Sequence, residues 1–261
     1  MERHLKNCVE RVKELYGDRV LFVGLYGAQN YGLETKSSDY DFKAVIAPCL
    51  DDIVFNRKPV STTIEIEDGL CDVKDIRLMM GCWKKQNVNF VELLFTKCKW
   101  VSPDHKDILQ LLFEHKEDVV HYDEKHALDC IRGMQMEKYH ALFKPYPAQK
   151  EVVEKYGYAA KQLTHILRLE DLVTKYIDGR SYSACLIPNR ELRDYLVDIK
   201  TYDTMLSLDE VERLARESME RVNELYRSYA SKPVNTETGH LMDKVTADVI
   251  RRVLRAELME G

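Results

Sequence analysis

An α+β fold, with a mixed sheet early in the chain and helices after it, is what this 261-residue sequence predicts. Three observations predict it. Short runs rich in strand formers occur only before Ser102. From Asp123 onward, apolar residues recur with the 3.6-residue period of helices. Only 11 Gly and 7 Pro punctuate a chain that is 45% hydrophobic and 32% charged, a globular composition with little room for disorder. The change of periodicity divides the chain into domains at 1–120 and 121–261, each large enough to bury a core.

The elements follow in order. Leu5, Cys8, Val9, Val12 and Leu15 fall on one helical stripe, so a helix over 4–16 opens the chain. Val20 to Tyr26 reads as a buried strand ended by Gly27, and Asp41 to Ala47 as a second strand stopped by Pro48. Thr62 to Glu67 and Leu70 to Lys74 are the third and fourth strands. Asp75 is placed as N-cap of a helix carrying Ile76, Met79, Met80 and Trp83 on one side. A short helix at Val88–Leu94, a last strand or extended segment from Phe95 to Val101 and a helix from about His105 complete the first domain. Helices are expected at 125–143, 148–178, 189–199 and 208–230, then again from about Asp243.

The net charge of −5, from 44 acidic and 39 basic side chains, excludes a generally basic nucleic-acid-binding surface, so any polyanion must meet a local patch. Seven Cys without metal-finger spacing indicate reduced thiols, and the charged amphipathic N-terminus lacks a signal core. No stretch reaches the ~20 apolar residues of a membrane span, and the expectation is a soluble cytoplasmic protein.

The chemistry is concentrated between the first two strands. Gly27 and Gly32 bound a turn whose backbone N–H groups can approach phosphates, and Asp39 and Asp41 follow it. In extended backbone, residues two apart share a face, so these two carboxylates point together. Mg²⁺ commonly binds one or two carboxylates together with substrate phosphates, which makes Mg²⁺, or Mn²⁺ in its place, the expected ion and a phosphate-bearing molecule the expected partner. Asp72 is the candidate third carboxylate of a two-metal site, in which the ions lie ~3.5–4 Å apart. Asp75 is its rival, although an N-cap role already accounts for it.

The stretch from Gly27-Ala28 to Ser38-Asp39-Tyr40-Asp41 resembles the G-S…S-D-x-D pattern of polymerase-beta-type nucleotidyltransferases. More narrowly, it is similar to the bacterial and phage RNA-repair-pathway DNA polymerase beta family, with its G-S-(H/R)-x-(Y/F)-G turn followed by S-D-Y-D. Asp75-Ile76-Arg77 with Asn87 to Leu94 resembles that family's D-L-R-K-F and N-P-N-x-x-E-L-L segments, and Tyr158 to Leu169 its Y-D-x-K-x-x-x-H-x-x-R-L helix, so the likeness covers residues 20 to 225. It implies a polymerase-beta-like palm followed by a C-terminal helical domain that closes a cleft. It also implies an enzyme that moves NMP from an NTP to a hydroxyl, with an RNA end as acceptor and pyrophosphate as product. The metal-binding and catalytic residues would be Asp39, Asp41 and Asp72. The nucleotide would meet Gly27, Ala28, Gln29, Tyr31, Gly32 and Ser38 of the turn.

Lys161, His165 and Arg168 sit at i, i+4 and i+7 and share one helix face. The resemblance turns this helix toward the nucleotide, with Lys161 and Arg168 on phosphates and His165 as a hydrogen-bond partner. Two positions depart from the family: Ala28 replaces its Ser, removing a hydroxyl whose hydrogen bond is worth about 0.5–1.5 kcal/mol, and Gln29 replaces its His or Arg. Ala28 keeps open a pseudoenzyme that binds nucleotide or RNA without turnover. A toxin-antitoxin component that modifies a partner protein is the other alternative.

Overall fold

Strands β1 (Val20–Leu25), β2 (Phe42–Ile46), β3 (Ser61–Ile66), β4 (Gly69–Asp75) and β5 (Lys99–Val101) form one mixed sheet in the order β3-β4-β2-β1-β5. This is a computed structural model, and it describes all residues except Ser37, Asp68, Pro145 and Gly261, together with the side chains of all but Ala148 and Glu260. β2 and β4 run parallel and the other pairs antiparallel. Parallel neighbours need a crossover, here the segment through the short helix Leu50–Val54 and β3.

Side-chain alternation explains the layering. Phe42, Ala44 and Ile46 of β2, with Cys71 and Val73 of β4, bury against Cys8, Val9 and Val12 of the opening helix Glu2–Tyr16. Each such buried aliphatic side chain contributes about 1.5–3 kcal/mol. The intervening residues therefore face the other side of the sheet, and in β2 and β4 these include Lys43, Val45, Asp72 and Lys74. Asp75 ends β4 and caps the helix Ile76–Lys84 by accepting the Arg77 N–H at 2.8 Å.

Contacts group the chain into two units that do not follow a single cut at residue 120. The first comprises Met1–Gln29, Asp39–Glu124 and Pro233–Gly261, and the second Asn30–Ser38 and Lys125–Lys232. The last helix, Thr236–Glu260, joins the sheet unit because it packs on the helices Lys106–Glu114 and Ile76–Lys84. Arg252 seals that packing with a two-pronged pair to Asp107 at 2.6 and 2.7 Å. In the second unit the helix Ala160–Ile177 is the buried centre, flanked by Tyr182–Leu186, Arg190–Thr201 and Leu208–Ser228. The helix expected over 148–178 is instead two, Lys150–Tyr156 and Ala160–Ile177, parted at Gly157. The tail helix begins at Thr236 rather than near Asp243, its first turn fixed by Asn235, whose side chain accepts the Thr238 N–H. Among the described residues, all seven cysteines are free thiols, and no helix is long and apolar enough to cross a membrane.

Candidate active site

Asp41 is the last residue before β2, and two bonds hold it there. Its carbonyl accepts the Tyr26 N–H at 3.0 Å, and its Oδ1 accepts the Leu70 N–H at 3.2 Å. The approach of β4 is possible because residue 69 is glycine. A Cβ at Gly69 would lie 2.6 Å from the Tyr40 carbonyl oxygen and 3.2 Å from Asp41 Oδ1, too close for any side chain. Asp41 is half-buried, while Asp39, two residues earlier in the connecting segment, is exposed.

Asp72 lies directly opposite Lys43 in the parallel β2–β4 register, so the two share a face. Its Oδ2 is 3.3 Å from Lys43 Nζ and its Oδ1 3.3 Å from Lys74 Nζ. Lys43 is buried, with its ammonium 3.7 Å from the centre of the Tyr26 ring and 4.4 Å from that of Phe90. Burial lowers the Lys43 pKa, and the Asp72 carboxylate opposes that shift. Tyr26 sits where the carboxylate fields meet: burial first, then Asp41, Asp72 and Glu92, push its phenol well above the ordinary range. Asp75 is committed elsewhere, since besides capping it accepts Arg77 Nε at 2.9 Å and Nη2 at 2.6 Å.

The turn after β1 is more ordered than its composition predicts. Gly27 and Gly32 both adopt positive φ, 84° and 69°, and between them Ala28–Tyr31 closes a single helical turn. The Gly27 N–H, expected to face a phosphate, donates instead to Oε1 of the fully buried Glu92 at 3.2 Å. Ser38 closes a tight turn: its Oγ accepts the Thr35 N–H at 2.8 Å. Ala28 and Gln29 are half-buried. Tyr31 is buried, and its ring lies 3.9 Å beneath the Arg168 guanidinium.

Lys161, His165 and Arg168 do share one stretch of the helix Ala160–Ile177, yet they are not a solvated stripe. Lys161 is exposed, His165 half-buried and Arg168 only 2% exposed. His165 is held neutral, its pKa well below the usual value through burial and then the fields of Arg168, Lys138, Lys161 and Lys200. Lys200 donates to the Leu33 carbonyl at 2.7 Å, which ties the helix Arg190–Thr201 to the segment after the turn.

Lys43, Lys74 and Lys200 were not singled out by sequence reasoning. The two strand lysines could have been, since they continue the same two-residue alternation from Asp41 and from Asp72. Nothing local marks Lys200. Among the described residues, no group of three or more His, Cys, Asp or Glu side chains is arranged to hold a metal ion. Asp39 and Asp41 fit the mode in which one or two carboxylates bind Mg²⁺ and phosphates complete its shell, whereas both Asp72 oxygens already face ammonium groups.

The model of RlaP, the RNA repair pathway DNA polymerase beta family, matches residues 1–181. The chain belongs to that family. The RlaP match spans the turn, Asp39, Asp41, Asp72 and the whole helix that bears Lys161, His165 and Arg168. It thereby ties the chain to polymerase-beta-type proteins of RNA repair. No curated protein matches the chain.

Proposed function

We propose that this RlaP-family chain is a metal-dependent nucleotidyltransferase with a polymerase-beta-like palm, which moves NMP from an NTP to the hydroxyl of an RNA end. The observation that carries this reading is the clamped Asp41, next to β2 and beside the parallel strand bearing Asp72, with the exposed Asp39 two residues away. In the reaction the acceptor oxygen bonds to the α-phosphorus, the bond from that phosphorus to the bridging oxygen breaks, and pyrophosphate leaves. The hydroxyl proton passes to a carboxylate and then to solvent.

Asp39 and Asp41 would hold Mg²⁺ or Mn²⁺, which when bound supplies charge neutralisation for the phosphates and acidifies the attacking hydroxyl. The Leu70 N–H fixes one Asp41 oxygen and so aims the carboxylate. Asp72 is the third carboxylate of this reading, and it joins the site by exchanging its contacts with Lys43 and Lys74. Glu92 orients the turn through Gly27. Seven free thiols suit a reducing compartment, and we place the protein in the cytoplasm.

Incubation with each labelled NTP, Mg²⁺ or Mn²⁺, and RNA bearing a free 3′-hydroxyl tests this. Label on RNA with matching pyrophosphate release, both lost in Asp39→Asn/Asp41→Asn, is the expected result. A second reading, a nucleotide-binding pseudoenzyme, is favoured by Ala28 and by the lysine pairs on Asp72. NTP binding without label on any acceptor would establish it, and label on protein would replace the RNA acceptor.

A further inference from the structure

The two edges of the sheet are unlike. β5 is three residues long, whereas β3 offers six, paired with β4 in an unbroken antiparallel register. β3 carries none of the devices that usually close an edge: Ser61–Ile66 contains no Pro and no Lys, and its register has no bulge. Ser61, Thr62, Thr63 and Glu65 are exposed. The Asp75 N–H donates to the Val60 carbonyl at 2.9 Å in the same register. Antiparallel alternation therefore turns the backbone groups of Thr62, Ile64 and Ile66 toward β4 and those of Ser61, Thr63 and Glu65 outward. Among the described residues, no backbone bond from outside the sheet reaches these three.

The outward positions are symmetric about Thr63. A second β3 laid antiparallel along this edge, with Thr63 opposite Thr63, aligns Ser61 with Glu65 and Glu65 with Ser61, and each of the three pairs exchanges two N–H···O=C bonds. The same register sets Thr62 against Ile64 and Val60 against Ile66, on the face where Val60, Ile64 and Ile66 already pack on the core. The one charged residue of the strand, Glu65, meets Ser61 rather than itself. The two Glu65 lie ~13 Å apart along the strands, beyond the ~8 Å screening length of physiological salt. We infer that β3 is a self-recognition edge, through which two copies of this chain join their sheets about a two-fold axis at Thr63. Ser61 and Thr63 share the face of Lys74 and Asp72, their register partners, so the dimer presents both candidate sites on one side of a continuous sheet. The inference does not depend on the nucleotidyltransferase reading.

Pairing along one short edge buries less than a standard interface, so the dimer is expected to be reversible, forming in the micromolar to millimolar range. Sedimentation velocity of the full chain from about 1 µM to about 1 mM tests this. The wild type should shift from monomer to dimer, and Thr63→Lys, which sets two ammonium groups opposite each other at the axis, should weaken the dimer about tenfold or more. Thr63→Pro should do the same with a melting temperature near wild type, because the N–H it removes points away from β4. With diamide, Thr63→Cys should cross-link two copies above the wild-type background, since residue 63 meets its own counterpart at a Cα separation of ~5.5 Å, and Thr62→Cys should not. A wild-type chain that stays monomeric throughout would leave the edge to some other chain and overturn the inference. A dimer untouched by Thr63→Lys, or equal cross-linking at positions 62 and 63, would overturn it too. If Thr63→Pro does not fold, the lysine and cysteine variants decide.

Discussion

On the β2–β4 face each oxygen of Asp72 meets an ammonium at 3.3 Å, whereas on the helix Ala160–Ile177 Arg168 keeps two buried nitrogens without a partner. Both regions concentrate charge, but in the first each charged group has an opposite partner within ion-pair distance, whereas Arg168 has no hydrogen-bond partner for two of its nitrogens. A paired cluster is satisfied without a ligand. An unpartnered one leaves buried donors unsatisfied, at a cost in stability. Asp39 and Asp41 belong to neither pattern: they lie at the margin of the sheet, one exposed and one clamped by backbone.

The largest expected effect separates Asp39 and Asp41 from the balanced pair. Asp39→Asn/Asp41→Asn should lower nucleotidyl transfer by about 1,000-fold or more, about 4 kcal/mol of barrier, while circular dichroism and the melting temperature stay near wild type. Glu92→Ala strips the buried acceptor from Gly27 and a carboxylate from the surroundings of Lys43. Urea denaturation should show a loss of about 3–5 kcal/mol, and a loss under 1 kcal/mol would show that Glu92 does not brace the turn. Asp72→Asn should cost about 2 kcal/mol by leaving Lys43 buried without its counter-charge. Adding Lys43→Met should recover most of that loss, and strict additivity of the two changes would break the idea of internal balance.

The smallest effect is one of pH. Folding favours neutral His165, so its folded pKa lies below the unfolded value near ~6.5. Its contribution is therefore intact above that value and lost as pH falls from about 6.5 toward the depressed pKa. His105, lowered by burial and then by Arg252, acts with the same sign. Melting temperature should fall over this interval, and His165→Gln should flatten the fall. An unchanged slope in His165→Gln would remove His165 from the cation cluster.

Much of this arrangement is legible in the sequence because it depends on local period. Apolar runs and alternation located β1 to β4, and the Asp75 cap followed from its place before an amphipathic run. What depends on distant partners was not legible. The Gly27 N–H bonds to a residue 65 positions away, and the bond from Lys200 to Leu33 spans 167. Thr236–Glu260 reads as an appended helix, since nothing near it in sequence announces the Arg252–Asp107 pair that returns it to the sheet unit. The burial of Arg168 was not legible either, because periodicity places a residue on a helix face without revealing what covers that face.

Titration of Mn²⁺ followed by electron paramagnetic resonance, with a non-hydrolysable NTP analogue present, most directly tests whether Asp39 and Asp41 gather a divalent ion around phosphates. Wild-type protein with the analogue should bind Mn²⁺ at least tenfold more tightly than Asp39→Asn/Asp41→Asn. Equal affinity in the two proteins would contradict it.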